Sequence, residues 1–215
     1  QALADAAKAV STGAAGGSAP TQAQLAALGI TGVTADNLAA IQQAIAGTAD
    51  DGSAVDTLAE LQAVVTAAAN AQAAALAKIS AAAEADSATA SSPALTDYTA
   101  AGVTGVTAAN LGAINSALDT AAVNGVAVDT TAEVQALVDA YNAVLTAADG
   151  TADGDAGATQ AQYGLLGVTG LDTPATSLLN SVVDKSPTTA VDTVPEPQAL
   201  ADAAKAVSTG AAGGS

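Results

Sequence analysis

The chain repeats itself on two scales, and this repetition limits what it can fold into. On the longer scale, the segment Gln1 to Ser18 recurs without a change as Gln198 to Ser215, an offset of 197 residues (198 − 1). Identical ends around different intervening sequence are expected when one period plus an overlap is taken from a tandem array. A duplicated linker is the alternative interpretation. We therefore expect this chain to be a segment of a longer repetitive protein.

Two marker sequences show a shorter repeat within this period. The first combines Val-Asp-Thr with a following Glu and Gln, and its copies begin at Val55, Val128 and Val191. The second has the form Gly-x-Thr-Gly, and its copies begin at Gly29, Gly102 and Gly167. Because both markers recur in the same order while the sequence between them differs, we predict three related modules. The predicted boundaries are 1–18 for the last helix and joint of a preceding module, then 19–91, 92–157 and 158–215.

Each predicted module contains three amphipathic helices. Thr21 and Thr159 cap short first helices that end at glycine, and the middle first helix, near Tyr98, is expected to be shorter. The second helices run from about Thr34, Thr107 and Thr173, and two of them carry an apolar stripe. Its residues are Leu38, Ile41 and Ile45, and Leu111, Ile114 and Leu118.

The third helices begin at Thr-x-x-Glu sequences, which predict capping boxes. These pairs are Thr57 and Glu60, Thr130 and Glu133, and Thr193 and Glu196. The first should reach about Asp86, and Pro195 and Pro197 should delay or kink the last. Three such helices are about the least that can enclose a core, so the predicted fold is all-α, a tandem array of small three-helix bundles that forms a rod or fibre.

Composition limits both the core and the partners. Half of the residues are hydrophobic, yet the chain has no Phe, Trp, Met, Cys or His. Because alanine buries little apolar area, the core must be thin and its stabilisation modest. Twenty-one acidic residues face four basic ones, a net charge of −17. We therefore expect no binding to nucleic acid, which needs basic surface, and no membrane insertion, which needs a hydrophobic run of ~20 residues.

The strongest candidate for a ligand site is the acidic segment that closes the second module. Asp149, Asp153 and Asp155 are interspersed with glycine, which lets oxygen ligands converge on a hard cation such as calcium. The spacing of these aspartates differs from that of an EF-hand loop, and no glutamate follows at the position where an EF-hand has its bidentate ligand. A solvated acidic linker is the simpler interpretation, and no other cofactor is expected.

Ordinary structural roles are the preferred interpretation of the other polar groups. Asp50, Asp51 and Asp56 form a weaker acidic cluster, interpreted as a loop and a helix cap. The tyrosines are expected to fill the thin core, with exposed adhesive contacts as the alternative; they are Tyr98, Tyr141 and Tyr163. Without His, Cys or Arg, catalysis would fall to carboxylates, lysines or hydroxyls. Because capping explains the recurring acids, we expect no catalytic residue and no enzyme.

The motifs Thr-Gly-Val-Thr-Ala-x-Asn-Leu and Val-Asp-Thr-x-Ala-Glu-x-Gln-Ala resemble the Ala/Thr/Asp-rich tandem modules of biofilm-associated adhesins, very large surface proteins of Gram-negative bacteria. The resemblance covers nearly the whole chain, rests on short motifs and carries no site residues. It implies an extracellular protein of the cell surface whose modules form a stalk, fibre or tether. Calcium dependence and a dedicated secretion system are among the implied properties.

Sequence and resemblance together favour a non-enzymatic structural repeat whose partners are neighbouring repeats. Two other classes stay open: a self-assembling filament or surface-layer subunit with lateral packing between chains, and a helical module that binds a ligand. The end segment also predicts a seam, in which Gln1 to Val10 and Gln198 to Val207 are last helices followed by glycine joints. Residues 1–18 should then pack like residues 198–215.

Overall fold

A computed structural model describes residues 1–48, 53–85 and 92–213. These residues form ten α-helices, two short 3₁₀ turns and one isolated antiparallel bridge between Asp149 and Pro187, with no strand in the described part. The all-α prediction is therefore confirmed. Among the described helices, none is both long enough and apolar enough to cross a membrane.

The helices fall into successive short and long elements. In chain order they are α1 (Ala2–Ala14), α2 (Gln22–Ala27), α3 (Leu38–Ala46), α4 (Leu58–Glu84), α5 (Leu95–Ala100), α6 (Leu111–Leu118), α7 (Thr131–Ala147), α8 (Gln160–Leu165), α9 (Thr173–Val183) and α10 (Pro195–Gly213). The 3₁₀ turns are Gly125–Val128, before α7, and Thr188–Ala190, before α10.

The short helices α2 and α8 begin and end as predicted. Thr21 and Thr159 each cap a helix and form a capping box with a glutamine three residues later. Gly29 and Gly167, with φ of 83° and 84°, follow these helices in the left-handed region that glycine adopts without strain. The middle helix α5 also has six residues, as α2 and α8 do, so the prediction of a shorter one is wrong. Its Tyr98, the equivalent of Leu25 and Tyr163, is fully buried.

The long helices also begin at the predicted caps. Thr57 and Glu60 exchange hydrogen bonds at the start of α4, with the Glu60 carboxylate 3.0 Å from the Thr57 amide. Thr130 and Glu133 do the same at α7. In α10 the first helical residue is Pro195, the second after Thr193, whereas α4 and α7 begin directly after their threonines. The late start expected from the prolines is therefore confirmed.

Among the second helices, α9 begins at Thr173 as predicted, whereas α3 and α6 begin four residues after the predicted Thr34 and Thr107. α3 begins at Leu38 because Thr34 and Asn37 form a closed turn: the Asn37 carboxamide oxygen accepts from the Thr34 amide at 2.8 Å, and its NH₂ group donates to the Gly32 carbonyl at 2.8 Å. Asn110 forms the same turn before α6. The apolar stripe is confirmed, since Ile41 and its later equivalents are buried.

The chain divides into two compact units, Gln1–Lys78 with Thr96–Thr104, and Ile79–Leu95 with Gly105–Ser215. In the first unit α1 packs against α2 and α3. Their shared core joins Val10 and Ala14 of α1 to Leu25, Ile41 and Ile45. The four predicted module boundaries are not decided by this division and stay a prediction.

The second unit is organised around α7, which packs against α6, α8 and α9, while α10 packs against α9. Val134, Val138, Tyr141 and Val144 of α7 are all at most 1% exposed. One helix therefore contributes to the contacts of elements on both sides of it in sequence.

The two copies of the end segment differ from the predicted seam. Gly13 and Gly210, predicted to lie in joints, are inside α1 and α10. The two helices also differ in burial, since Val10 is 3% exposed and its equivalent Val207 is 61% exposed. Identical side chains therefore have different neighbours in these 215 residues. The prediction that residues 1–18 pack like residues 198–215 concerns a continuing fibre and stays a prediction.

Candidate functional site

The structure brings the three predicted metal ligands together in the loop between α7 and α8. Asp149, Asp153 and Asp155 are all exposed, and one carboxylate oxygen from each lies within 4.8 Å of the others. Such a group of oxygens suits a hard cation better than a soft one. Exposed acidic clusters are common without a cation, so calcium binding here stays a prediction.

Hydrogen bonds within the loop fix its shape. The Asp149 carboxylate accepts from the Thr151 amide at 2.7 Å and from the Thr151 hydroxyl at 2.6 Å, which closes an Asx turn. Gly150 and Gly154 have φ of 86° and 87°, a conformation that would strain any other residue. The turn is therefore encoded by its own short sequence.

The loop matches part of the EF-hand pattern. Counted from Asp149 as position 1, oxygen-bearing side chains occupy positions 3, 5 and 7, and Gly154 stands at position 6. An EF-hand has Asp or Asn at position 3, where Thr151 stands here, and uses a backbone carbonyl at position 7. At position 12 Gln160 replaces the bidentate glutamate, so the full EF-hand pattern is not present.

Asp184, at the C-terminus of α9, holds the loop and was missed from the sequence. Its carboxylate accepts from the Gly154 amide at 3.2 Å and from the Asp155 amide at 3.0 Å, and its side chain is buried. The antiparallel bridge between Asp149 and Pro187 attaches the other side of the loop. The contact spans about thirty residues of sequence, and no local pattern could have shown it.

The carboxylates of the loop influence one another. The hydrogen bonds from Thr151 hold the pKa of Asp149 below its usual value. The neighbouring Asp153 charge raises the pKa of Asp155, with smaller contributions from partial desolvation and from Asp149 and Asp184. A bound cation would relieve this repulsion, so the loop offers favourable electrostatics for calcium even though all three ligands are exposed.

The weaker acidic cluster cannot be assembled in the described residues, because Asp50 and Asp51 lie outside them. Asp56 lies directly before the α4 cap. Its side chain helps to lower the pKa of Glu60, after the larger effect of the Thr57 hydroxyl. The structure thus places Asp56 in a helix cap, as the sequence interpretation expected.

The tyrosines are buried rather than adhesive. Tyr98, Tyr141 and Tyr163 are each 0% exposed, which confirms the core interpretation. The Tyr141 hydroxyl donates to the Val191 carbonyl at 3.2 Å, and the Tyr163 hydroxyl to the Asn180 carboxamide at 2.9 Å. Burial raises the pKa of Tyr141 to about 12 and those of the other two further, so all three stay neutral at ordinary pH.

The two sequence markers bind each other, a role that sequence analysis missed. The Gln62 carboxamide accepts from the Thr31 amide at 2.9 Å and donates to the Thr31 carbonyl at 3.2 Å. Gln198 makes the same pair of bonds to Thr169, at 2.8 Å and 3.3 Å. We call this arrangement the glutamine clamp. It gives the Gly-x-Thr-Gly turn a structural role, as the absence of a phosphate-loop ending also indicates.

A shallow groove in the second unit is a further candidate. Its lining offers amides, hydroxyls and one carboxylate, and includes Asn110, Asn142, Thr188 and Asp192. The amides already bind each other and the backbone: the Asn110 carboxamide donates to the Asn142 carboxamide oxygen at 2.7 Å, and the Asn142 carboxamide donates to the Gly105 backbone carbonyl at 3.0 Å. The groove therefore presents structural hydrogen bonds rather than a paired nucleophile and base.

No protein-family model, curated protein or solved structure matches this chain.

Proposed function

We propose that the chain is a non-enzymatic structural repeat segment of an extracellular bacterial surface fibre or adhesin, and that its helices form a tandem array of three-helix modules. In such an array each repeat contacts mainly its neighbours, so fibre length can vary while the repeat stays the same. The proposed role is mechanical: a stalk, or a tether between cells or to a matrix.

The observation that carries the proposal is the position of α7. This helix is the third of the predicted second module and packs against α6 of that module. It also packs against α8 and α9, the first two helices of the predicted third module. A helix that packs against its own module and the next one is what a continuous array requires, since each repeat of such an array contacts its neighbours.

Recurring hydrogen bonds also support the array. A side-chain amide on each second helix donates to a backbone carbonyl 22 residues earlier, just before the first helix of the same module. The pairs are Gln42 with Pro20, Asn115 with Pro93, and Asn180 with Ala158. The same contact at the same separation in three diverged sequences is expected of one supersecondary unit used three times.

The repeated polar residues have structural uses that leave few groups for chemistry. The glutamates cap helices, the glutamines clamp turns, and the buried tyrosine hydroxyls that donate do so to carbonyl oxygens. A net charge of −17 favours solubility and repels other copies, which suits an extended exported chain better than a laterally packed filament.

The test is the shape of a longer chain. Residues 1–215 followed directly by a second copy of residues 19–215 should give an isolated thin rod in small-angle scattering and electron microscopy, with about twice the length of the 215-residue chain. Ordered multi-chain bundles would instead identify a filament or surface-layer subunit. A compact globule would overturn the array.

A further inference from the structure

Helix α10 exposes four small residues in a fixed spacing. They are Ala203, Val207, Gly210 and Ala211, which we call the Val207 quartet. Val207 is 61% exposed, and a Cβ added at Gly210 would meet no atom within 4 Å. The residues are four, three and one position apart, so they lie on one face of the helix.

The same four residues are covered in α1, which has the identical sequence. Ala6, Val10, Gly13 and Ala14, the Val10 quartet, are all buried. Their cover is α2 and α3: a Cβ at Gly13 would come within 3.0 Å of the Pro20 side chain and 3.6 Å of the Ile45 side chain. One copy of this face therefore shows directly what fits against the other.

The pattern recurs with changed side chains at α7. The equivalent residues, which we call the Val144 quartet, are at most 1% exposed: Ala140, Val144 and Ala147 of α7 and its C-cap Ala148. In the longer α4 the equivalent positions are Ala67, Ala71, Ala74 and Ala75, of which only Ala75 is buried. Helix α7 packs against α8 and α9, the next short and middle helices. The quartet is therefore covered at α1 and α7 and exposed in α10.

An adjoining face of α10 is already occupied. Ala201 and Ala204 are buried, and α10 packs against α9. The equivalent residues of α1, Ala4 and Ala7, are exposed. Lys205 forms an ion pair with Asp172 at the N-cap of α9. The two helices thus bury different faces of the same sequence. One such helix can therefore bind neighbours on both of these faces.

We infer that the Val207 quartet binds a second copy of residues 20–48, the segment that carries α2 and α3, supplied by a following repeat of the same polypeptide. The contacts are those that the Val10 quartet makes: Pro20 and Ile45 against the glycine, with Leu25 and Ile41 in the shared core. The inference rests on the tandem-repeat part of the proposed function and adds the docking surface and its partner.

The partner is a following repeat rather than a separate chain for a physical reason. In a separate chain, residues 20–48 are already covered by that chain's own α1. The covalent tether holds α1 there at an effective concentration in the millimolar range or above, which a free competitor at micromolar concentration does not match. A following repeat that continues directly from α10 has no such competitor.

Single cysteines test this inference, because the chain contains none. In the 215-residue chain, the Val207→Cys thiol should react with Ellman's reagent at the rate of a free thiol, and the Val10→Cys thiol at least about 100-fold more slowly. In the chain extended by a second copy of residues 19–215, Val207→Cys in the first copy should become as slow as Val10→Cys. The thiol of Val207→Cys in the final copy should still react at the rate of a free thiol. Circular dichroism checks that each variant is folded.

Equal, fast reaction at both copies of Val207→Cys in the extended chain would overturn the inference. Protection in the 215-residue chain that increases with protein concentration would identify a separate chain as the partner and also overturn it. The shape of the extended chain is measured independently of thiol reactivity. A slow thiol in a compact chain would support the docking surface and reject the fibre. A fast thiol in a thin rod would support the fibre and reject the docking surface.

Discussion

The two copies of the end segment, α1 and α10, have the same sequence and bury different faces. In α1 the Val10 quartet contacts the helices that follow, and Ala4 and Ala7 are exposed. In α10 the equivalents Ala201 and Ala204 are buried beside α9, while the Val207 quartet is exposed. Since side chains and spacing are the same, the difference comes only from the neighbouring helices.

This comparison explains the unusual composition. A typical surface helix has one apolar face and one charged face, and that contrast decides which side is buried. A helix shared by two modules must accept neighbours on both sides, and alanine lets them approach closely without leaving a large apolar side chain in water on either side. The shortage of large apolar residues therefore follows from double use of the long helices, with each contact contributing little area.

The largest expected effect comes from a charge in the quartet. Val10→Asp places a carboxylate in a core position that is 3% exposed, and we expect it to cost about 4 kcal/mol, roughly 10 °C in Tm. Val207→Asp, with the same sequence context, should change stability by less than about 0.5 kcal/mol. Thermal unfolding by circular dichroism measures both. Equal losses would mean that the two faces do not differ in solution.

The reciprocal substitution sharpens the comparison from the other face. Ala201→Glu introduces a charged side chain against α9 at a position 1% exposed, and should cost about 3 kcal/mol. Ala4→Glu should be neutral or stabilise by about 0.3 kcal/mol, because it lies one turn before Lys8. Urea unfolding gives both values. A loss at Ala4 that matches the loss at Ala201 would contradict the assignment of faces.

How far the sequence predicts this structure depends on the range of the contacts. The caps were predictable because Thr57 and Glu60 meet within one helical turn. The turn at Thr34 and Asn37 is equally local, but its hydrogen bond delays the start of α3 to Leu38, four residues after the predicted Thr34. The glutamine clamp joins residues 31 positions apart, and Asp184 reaches Gly154 across 30. Burial of Val10 and exposure of Val207 could not be separated by any local rule, because their surrounding sequences are identical.

The glutamine clamp provides a smaller contrast between the two end copies. Gln198→Ala removes two hydrogen bonds to Thr169 and should cost about 1 kcal/mol, since the groups lie partly in water. Gln1→Ala removes a side chain at the start of α1 that makes no cap bond, and should change stability by less than about 0.3 kcal/mol. Gln62→Ala, in the first clamp, should match Gln198→Ala in chemical denaturation. No loss for either clamp variant would show that the marker glutamine has another use.

The paired lysines give a still smaller difference, with a defined pH dependence. Lys205→Ala removes the ion pair to Asp172 and should lower Tm by about 1 °C or less, because both side chains are nearly half exposed. Lys8→Ala should have no measurable effect. The hydrogen bond from Lys205 is the first cause that lowers the pKa of Asp172. The stabilisation is therefore present above the unfolded-state pKa and is lost as pH falls through the lower folded-state value, so the two variants should converge in acid.

The smallest expected effect is the rise in Tm on adding calcium. It concerns the loops that follow two buried quartets, of which we expect only one to bind a cation. The connection after the Val10 quartet carries no carboxylate, whereas the one after the Val144 quartet carries Asp149, Asp153 and Asp155. With Gln160 in place of a bidentate ligand, we expect a dissociation constant near the millimolar limit of extracellular modules, so that about 1 mM calcium raises Tm by about 1 °C. Asp153→Asn should abolish this rise and, by removing the charge that most raises the pKa of Asp155, return that pKa toward its ordinary value. Carboxyl-carbon NMR titration reads the second effect without calcium. If calcium does not change Tm but Asp155 titrates as expected, the loop is a solvated acidic linker and not a cation site.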